Sequence, residues 1–261
     1  MTYRRTEGFA KRIADLMHIV VLIPGFTTLA KRAQTLAVAL HASKVKGRIA
    51  LVVDSTGLKV YGEGEWKVRK YGWSKRRTWR KLHLAVSADT QEIEAEVLTG
   101  NATDDAAVVD ELLDQMENLA DKFGGDGAYD KWKVYEALAE RDIAPIIPPR
   151  RDAKIKQHGK AKGLPWPRDE AIRGIRKLGR SEWKRQVGYH RRSLAETAMF
   201  QMKKMFGAEL KNRTEKTQKT EVKSEMQNSQ SLHKTENAKI YLRTVGQQDR
   251  KKSQDSYRHQ R

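Results

Sequence analysis

The order of strand and helix patterns between residues 47 and 147 restricts the possible folds more strongly than any other property of this sequence. The compact apolar run GRIALVV (47–53) predicts a buried strand. Two alternating segments, RKLHLAV (80–86) and IEAEVL (93–98), predict two further strands that are separated by turn residues. We therefore expect three antiparallel strands in succession.

The strands that follow are separated by helical patterns. Residues 106–119 and 131–141 carry apolar side chains at helical spacing. Between them lie a fourth strand candidate and, after it, the glycine-rich turn GGDGAYD (124–130). The segment IAPII (143–147) predicts a short strand after the second helix. Antiparallel strands followed by strands reached through helices imply a mixed sheet with helices on its faces. The order βββαβαβ, then an insertion and a helix, predicts an α/β fold of the ribonuclease-H-like class.

Composition divides the chain into three parts. Residues 1–46 predict two short helices around a break at Pro24, which form a partial helix-turn-helix-like DNA-binding region or, alternatively, a pair that only packs against the body. Residues 47–210 form the predicted α/β domain, with an irregular basic insertion at 150–185. Residues 211–261 are poor in apolar side chains, and we predict a polar, disordered tail.

The chain is strongly basic, with 52 Lys and Arg against 33 Asp and Glu and a formal net charge of +19. This balance argues against an ordinary small-metabolite enzyme and favours a polyanionic partner, most often nucleic acid. The absence of cysteine excludes a disulfide framework, a Cys-ligated zinc site and a Cys nucleophile. The apolar run at 19–23 is far shorter than the about 20 residues that span a bilayer. We therefore expect a soluble, cytoplasmic protein that handles nucleic acid.

The positive charge is concentrated in two runs, at residues 59–81 and 150–192, and the segment 88–121 between them is acidic. Any single charge run is typical of a solvated surface. Both basic runs also contain tryptophans, which can stack on exposed bases or anchor strands in a small core. Taken together, the two runs favour a phosphate-binding face.

Three acidic residues occupy positions that are common for catalytic carboxylates. Asp54 follows the first apolar run, Asp126 lies in the glycine-rich turn and Glu196 lies in a late helix. If the fold brings them together, they need a cation, and carboxylate oxygens suit Mg²⁺. Two such ions about 3.5–4 Å apart can activate a water or a 3′-hydroxyl at a phosphodiester. Each acid alone is more simply a turn, cap or surface residue, and Asp130 competes with Asp126 for its role.

The late helix carries a polar face. Tyr189, Arg192, Glu196 and Lys203 are separated by 3, 4 and 7 residues, and at about 100° per residue they point in similar directions. Such a face suits a metal-binding carboxylate flanked by donors to phosphate. The alternative is an exposed face with salt bridges.

Four segments, in the right order, resemble DDE transposases from bacterial insertion sequences. The first segment, which has two parts, is similar to the region upstream of the catalytic domain in the insertion-sequence-five family. The second and third are similar to the segments that hold the first and second acids, and the fourth to the "YREK" signature. They are TEGFAKRIADLM with PGFTTLAKRAQTL (6–17 and 24–36), LVVDSTGLK (51–59), GDGAYD (125–130) and Tyr189-x2-Arg192-x3-Glu196-x6-Lys203.

The resemblance implies a DDE catalytic domain that binds two Mg²⁺ ions, with Mn²⁺ as an alternative. It implies hydrolysis at the ends of the element, followed by attack of the freed 3′-OH on target DNA. Its partners would be double-stranded DNA, as terminal inverted repeats and target, and further copies of itself, with no membrane, in the nucleoid of a bacterial cytoplasm. The implied catalytic and metal-binding residues are Asp54, Asp126 and Glu196, and the implied DNA contacts are Tyr189, Arg192 and Lys203.

Other functions remain open on the sequence alone. The chain could be a truncated, catalytically inactive transposase remnant that acts only as a DNA-binding protein. Another ribonuclease-H-like nuclease, such as a structure-selective resolvase, is a third hypothesis, but the spacing of Arg192 and Lys203 around Glu196 argues against it. A membrane-surface protein fits least well, because no amphipathic stretch with a clean basic face stands out.

Overall fold

The computed structural model describes residues 2–60, 79–157, 166–232, 234 and 235. Two helices open the chain, α1 (Tyr3–Leu16) and α2 (Phe26–Arg32), and neither has a buried residue. The Glu7 carboxylate accepts a hydrogen bond from the backbone N–H of Phe26 at 2.6 Å, and the Arg4 guanidinium lies over the Phe26 ring. The two helices therefore contact each other through a few polar and aromatic contacts at the surface.

Three antiparallel strands follow, as the alternating segments predict: β1 (Ile49–Val60), β2 (Trp79–Ser87) and β3 (Ile93–Gly100). The first strand is longer than its apolar run. Asp54 was expected directly after the strand, but it lies inside β1, paired across from Leu84. The pairing of β1 with β2 continues to Lys59, so ladder hydrogen bonds extend the strand through its polar residues.

The parallel half of the sheet comes from helix-linked strands. A 3₁₀ turn (Asp105–Val108) leads into α3 (Val109–Asp114), which is followed by β4 (Ala120–Gly124). A second 3₁₀ turn (Gly127–Tyr129), α4 (Trp132–Glu140) and β5 (Ala144–Ile146) come next. Across the described ranges the strand order is β3-β2-β1-β4-β5, with β1, β4 and β5 parallel. This mixed sheet of parallel and antiparallel strands fits a ribonuclease-H-like α/β fold.

The basic insertion is more regular than predicted. Instead of an irregular segment, the structure has helices α5 (Pro167–Leu178) and α6 (Arg180–Gln186), while residues 158–165 lie outside the described residues. Proline at the first turn, acids near the start and bases near the end all favour α5. Trp183 of α6 packs against Gly174 of α5, where an added Cβ would lie 2.8 Å from the indole. The high charge of the segment concealed this helical pair.

The prediction of a disordered tail from residue 211 is wrong for its first part. A 3₁₀ turn (Tyr189–Arg192) and α7 (Ser193–Phe206) are followed by β6 (Glu209–Leu210), which pairs with β1, and by a helix α8 over residues 215–232. Val222 and Met226 of α8 are buried. Two of its buried polar side chains donate to backbone carbonyls, Gln218 to that of Asn212 and Gln230 to that of His41. Residues 236–261 lie outside the described residues.

The core lies on both faces of the sheet. One apolar cluster joins the sheet to α3 and α4, and the other joins it to α7 and α8. Within the described ranges, no helix has both the length and the apolar content needed to cross a membrane. Representative side chains of the first cluster are Leu51, Val53, Leu112 and Leu138, and of the second Val52, Leu84, Met202 and Met226.

Candidate active site

Two of the three candidate carboxylates meet at neighbouring strands. Asp54 lies on β1, and Asp126 directly follows β4 after Gly125. The parallel pair Val52–Gly124 sets the register, so both acids stand two residues beyond it at the same level of the sheet. Burial raises the pKa of Asp54 above its ordinary value, and the charge of Asp126 adds to the rise. The fold therefore places two interacting carboxylates side by side.

Arg192 connects this pair to the third candidate. Its guanidinium donates to Asp54 Oδ2 at 2.7 Å through Nη1 and to Glu196 Oε1 at 2.5 Å through Nη2. Glu196 lies in the first turn of α7, one helical turn after Arg192. The Glu196 side chain is half exposed, whereas those of Asp54 and Arg192 are about one-fifth exposed. Glu196 thus joins the site through the arginine and not by direct approach to the two aspartates.

The three candidate carboxylates meet only part of what the binding of a divalent cation requires. In the described part of the chain, no three His, Cys, Asp or Glu side chains lie together as a metal-binding group. Two adjacent carboxylates that retain waters are nevertheless an ordinary donor set for Mg²⁺. Asp54 and Asp126 would hold the ion, and Glu196 would join them only if Arg192 released it.

Asp130, the competitor of Asp126, has a structural role. Its side chain is fully buried and accepts a hydrogen bond from Arg168 Nε at 2.7 Å, from the Tyr135 hydroxyl at 3.1 Å and from the Arg150 backbone N–H at 2.9 Å. Although burial opposes it, the ion pair with Arg168 lowers the pKa of Asp130. With its oxygens occupied in this way, Asp130 fastens the start of the insertion to the sheet.

The residues predicted to contact DNA line the same side of β1. Lys203 donates to Thr56 Oγ1 at 2.5 Å, two residues beyond the contact of Arg192 with Asp54. Tyr189 lies in the 3₁₀ turn before α7 and not within that helix, so the single helical face that the spacing predicts is interrupted there. The Lys184 ammonium stands over the Tyr189 ring, 4.6 Å from its centroid.

A cavity of about 230 Å³ adjoins the site. Residues of β1 and β4 line it, and Lys122, Tyr189, Arg191 and Arg192 are among its lining residues. Three cations and an aromatic ring around one cavity can contact a phosphate and an adjacent sugar or base. Sequence reasoning missed Lys122 and Arg191, because nothing in their local sequence shows that the fold brings them to one cavity.

Sequence reasoning also missed a polar cluster on the opposite face of the sheet. Asp105 lies 3.2 Å from Lys81 Nζ and 3.3 Å from His83 Nδ1, and it accepts a hydrogen bond from the Ser55 side chain. Although burial opposes it, these donors lower the pKa of Asp105. Ser55 directly follows Asp54 on β1, so the cluster adjoins the candidate site on the other face of that strand. The only feature of the sequence that points to this region is the helix-start pattern around Asp104, and that pattern indicates a helix cap rather than a polar cluster.

Comparison with known families agrees with this arrangement. A family model described as a transposase DDE domain matches residues 46–228, which is most of the chain. A second model, also described as a transposase DDE domain, matches residues 1–63. The first match spans the whole sheet, both adjacent aspartates and the helix that carries Glu196. A mixed sheet with paired carboxylates at neighbouring strands and a match over most of the length lead to one conclusion: the chain belongs to the DDE-domain transposases.

Proposed function

We propose that this protein is an insertion-sequence transposase that cleaves DNA at the ends of its element and joins the freed 3′-OH to target DNA, with Asp54, Asp126 and Glu196 as its catalytic carboxylates. The observation that carries the proposal is that Asp54 and Asp126 each stand two residues beyond the parallel pair Val52–Gly124, and that the charge of Asp126 raises the pKa of Asp54. Divalent Mg²⁺, or Mn²⁺ in its place, would polarise the phosphodiester and lower the pKa of the attacking water or hydroxyl.

The chain's own residues prepare this chemistry. Arg192 pairs with both Asp54 and Glu196, so its single positive charge offsets part of the repulsion among the carboxylates before substrate binds. When a DNA phosphate approaches, the guanidinium can exchange a carboxylate for a phosphate oxygen, since it recognises both through the same paired N–H groups. That exchange would leave Glu196 to turn toward the two aspartates.

The DNA-binding surface in this proposal surrounds the carboxylates. Tyr189, Arg192 and Lys203, the YREK residues other than the glutamate, would contact phosphates of the terminal inverted repeat. Lys122 and Arg191 at the neighbouring cavity would extend the contacts along the backbone. We further propose that residues 1–46 form a DNA-binding region next to a catalytic domain over 47–210, to whose core α8 also contributes. Two or more copies would pair the element ends in the nucleoid. The similarity of residues 6–17 and 24–36 supports assignment to the insertion-sequence-five family.

The test is a cleavage and strand-transfer assay on duplexes taken from the DNA that flanks the coding sequence, with Mg²⁺ or Mn²⁺. Glu196→Gln should abolish nicking and joining, with a loss of at least about 10³-fold, because a metal-binding carboxylate is lost. The control is Glu182→Gln, which changes a glutamate of α6 whose partner is Arg185. It should cleave like the wild type.

The outcomes separate the alternatives. Metal-dependent nicking and joining that only Glu196→Gln loses would establish the reaction class. Nicking without joining would point to a nuclease of another kind. Specific DNA binding with no cleavage by the wild type would overturn the catalytic proposal and leave an inactive remnant that binds DNA.

A further inference from the structure

The middle of β1 is held by polar contacts more than by apolar packing. Residues 54–57 are each only partly buried, whereas Val53 before them and Leu58 after them are buried. On the face of the strand toward α7, two cations donate hydrogen bonds to Asp54 and Thr56. The position of the candidate carboxylate on β1 therefore depends on the hydrogen bonds of this stretch.

Ser55 contacts the candidate site with its backbone and the polar cluster around Asp105 with its side chain. Its N–H donates to Asp54 Oδ1 at 2.8 Å, while Arg192 donates to Asp54 Oδ2 at 2.7 Å. Successive side chains of a strand point to opposite faces of the sheet. The Ser55 hydroxyl accordingly donates to the Asp105 carboxylate on the other face. One residue thus links Asp54 to Asp105 across the strand.

Asp105 is held in place by groups other than Ser55. Lys81 Nζ lies 3.2 Å from Asp105 Oδ1 and 3.3 Å from Oδ2, and it also donates to the Thr103 carbonyl at 3.1 Å. The buried His83, which pairs with Ser55 across the sheet, places Nδ1 3.3 Å from Asp105 Oδ1. This last contact is electrostatic, because neither atom makes an aligned hydrogen bond within the described part of the chain. Asp105 can therefore act as a fixed acceptor for the Ser55 hydroxyl.

We propose that Asp105 is a positioning residue, which acts through Ser55 to fix the orientation of the Asp54 carboxylate. Asp105 holds the Ser55 hydroxyl, and the Ser55 N–H holds Asp54 Oδ1. In the proposed function, Arg192 exchanges Asp54 for a DNA phosphate, which releases Oδ2 while Oδ1 stays fixed. The role of Oδ2 as a ligand for a divalent cation rests on the proposed function, whereas the orientation of Asp54 does not.

The first measurement needs no metal ion. Hydrogen exchange of the Ser55 amide, followed by NMR in the metal-free full chain, reports its hydrogen bond to Asp54. Asp105→Asn should raise this exchange rate at least about tenfold relative to amides of β4, which report the stability of the whole sheet. The matched control is Asp104→Asn, because the Asp104 side chain caps the Ala106 N–H, which asparagine also does. It should leave the rate unchanged.

The second measurement titrates Mn²⁺ alone into the full chain by calorimetry. Asp105→Asn and Ser55→Ala should each raise the Kd for Mn²⁺ at least about tenfold, as changes behind a metal ligand commonly do. Since both changes interrupt the same series of contacts, the double variant should bind no more weakly than the weaker single variant. A loss of stability alone would not produce this non-additivity.

The possible outcomes are distinct. An unchanged exchange rate of the Ser55 amide in Asp105→Asn, or an equal change in Asp104→Asn, would overturn the inference. Additive losses of Mn²⁺ affinity would also overturn it, because Asp105 would then not act through Ser55. A wild type that binds no Mn²⁺ would contradict the metal chemistry of the proposed function, and the exchange rates would still decide whether Asp105 positions Asp54. Should Asp105→Asn not fold, Asp105→Glu replaces it, since it keeps a charge for Lys81 but displaces the carboxylate from Ser55.

Discussion

Two arginines decide which carboxylates of this protein are structural and which are available for chemistry. Arg168 and Asp130 form a nearly buried pair, with side chains 13% and 0% exposed. Arg192 and Glu196 form a pair that water reaches, with side chains 20% and 53% exposed. A buried pair is expensive to separate, whereas an exposed pair exchanges partners at little cost. Asp130 is therefore fixed in place, and Arg192 is free to take a phosphate instead of a carboxylate.

The buried pair makes a prediction about stability. Asp130→Asn should lower the free energy of unfolding by about 3 kcal/mol, because it leaves the Arg168 guanidinium uncompensated in the interior. Urea denaturation of the variant and wild type measures the loss. Asp142→Asn is the control, since Asp142 pairs with Arg48 at 2.7 Å but its side chain is 92% exposed, and it should cost less than about 1 kcal/mol. Equal losses in the two variants would contradict the structural role of Asp130.

Among the secondary-structure elements, the contact of α8 with the edge strand β3 is the most unusual. β3 carries two buried glutamates, Glu94 and Glu96, and a third, Glu92, directly precedes it. Lys223 of α8 lies 3.7 Å from Glu96, and Lys234, after α8, lies 3.5 Å from Glu92. Edge strands are commonly protected by inward-pointing charges or by a covering helix, and β3 has both. A polar helix can therefore be held on the sheet with only two buried apolar residues, Val222 and Met226.

This contact should depend on pH. Burial raises the pKa of Glu96 from 4.5 to about 7, with Lys223 opposing the rise and Glu111 adding to it. The folded state then binds the proton more tightly than the unfolded chain does. Stability should therefore be greatest below about pH 4.5, as far as this group is concerned, and fall as the pH rises toward 7.

Glu96→Gln should remove this part of the pH dependence. We expect the variant to gain on the order of 2 kcal/mol relative to wild type at about pH 8 and almost nothing at about pH 4.5. Burial also raises the pKa of Glu94 to about 7, so a dependence of stability on pH from this group remains in both proteins. Denaturant unfolding at the two pH values measures the effect, with the exposed Glu140→Gln as control. The pH effect is excluded if Glu96→Gln and Glu140→Gln behave alike.

At the scale of the whole molecule, the net charge and the sheet together determine how DNA would bind and in which orientation. The chain carries a formal net charge of +19. Cations from β4, the 3₁₀ turn before α7 and α7 itself surround the carboxylate pair on one side of β1. DNA would therefore be attracted by many cations, but the few beside the carboxylate pair would fix its alignment.

DNA affinity should fall steeply with salt. Each phosphate contact contributes a slope of about −0.9 to the plot of log K against log salt, so 6–10 contacts cost about 10³- to 10⁵-fold between about 50 and 200 mM. Lys122→Ala should make the slope shallower by about 1. Arg141→Ala should leave it unchanged, because Arg141 pairs with Asp110 and Asp114 away from the cavity. A flat salt dependence of the wild type would contradict a phosphate-binding face.

Much of the central sheet could be predicted from local patterns. Alternation in β2 and β3, and the apolar start of β1, are visible because apolar residues recur on one face of a strand every two residues in the sequence. The structure buries both faces of β2 and β3, which the alternation does not show. The order of these patterns was enough to predict a mixed sheet, and it brought Asp54 and Asp126 into consideration as a pair. The family resemblance rested on the same residues, since motifs around a site are short and local.

Other features depended on tertiary contacts. The full length of β1, the helices of the insertion and helix α8 are stabilised by partners far away in the sequence, such as His41 for Gln230 and Asp130 for Arg168. Arg192 between Asp54 and Glu196 is likewise a set of contacts that the local sequence does not show. The sequence by itself determined which segments bury apolar side chains and in what order. Only the tertiary structure decided which polar groups meet, because the energy of a buried polar group depends on its partner and not on its own position in the chain.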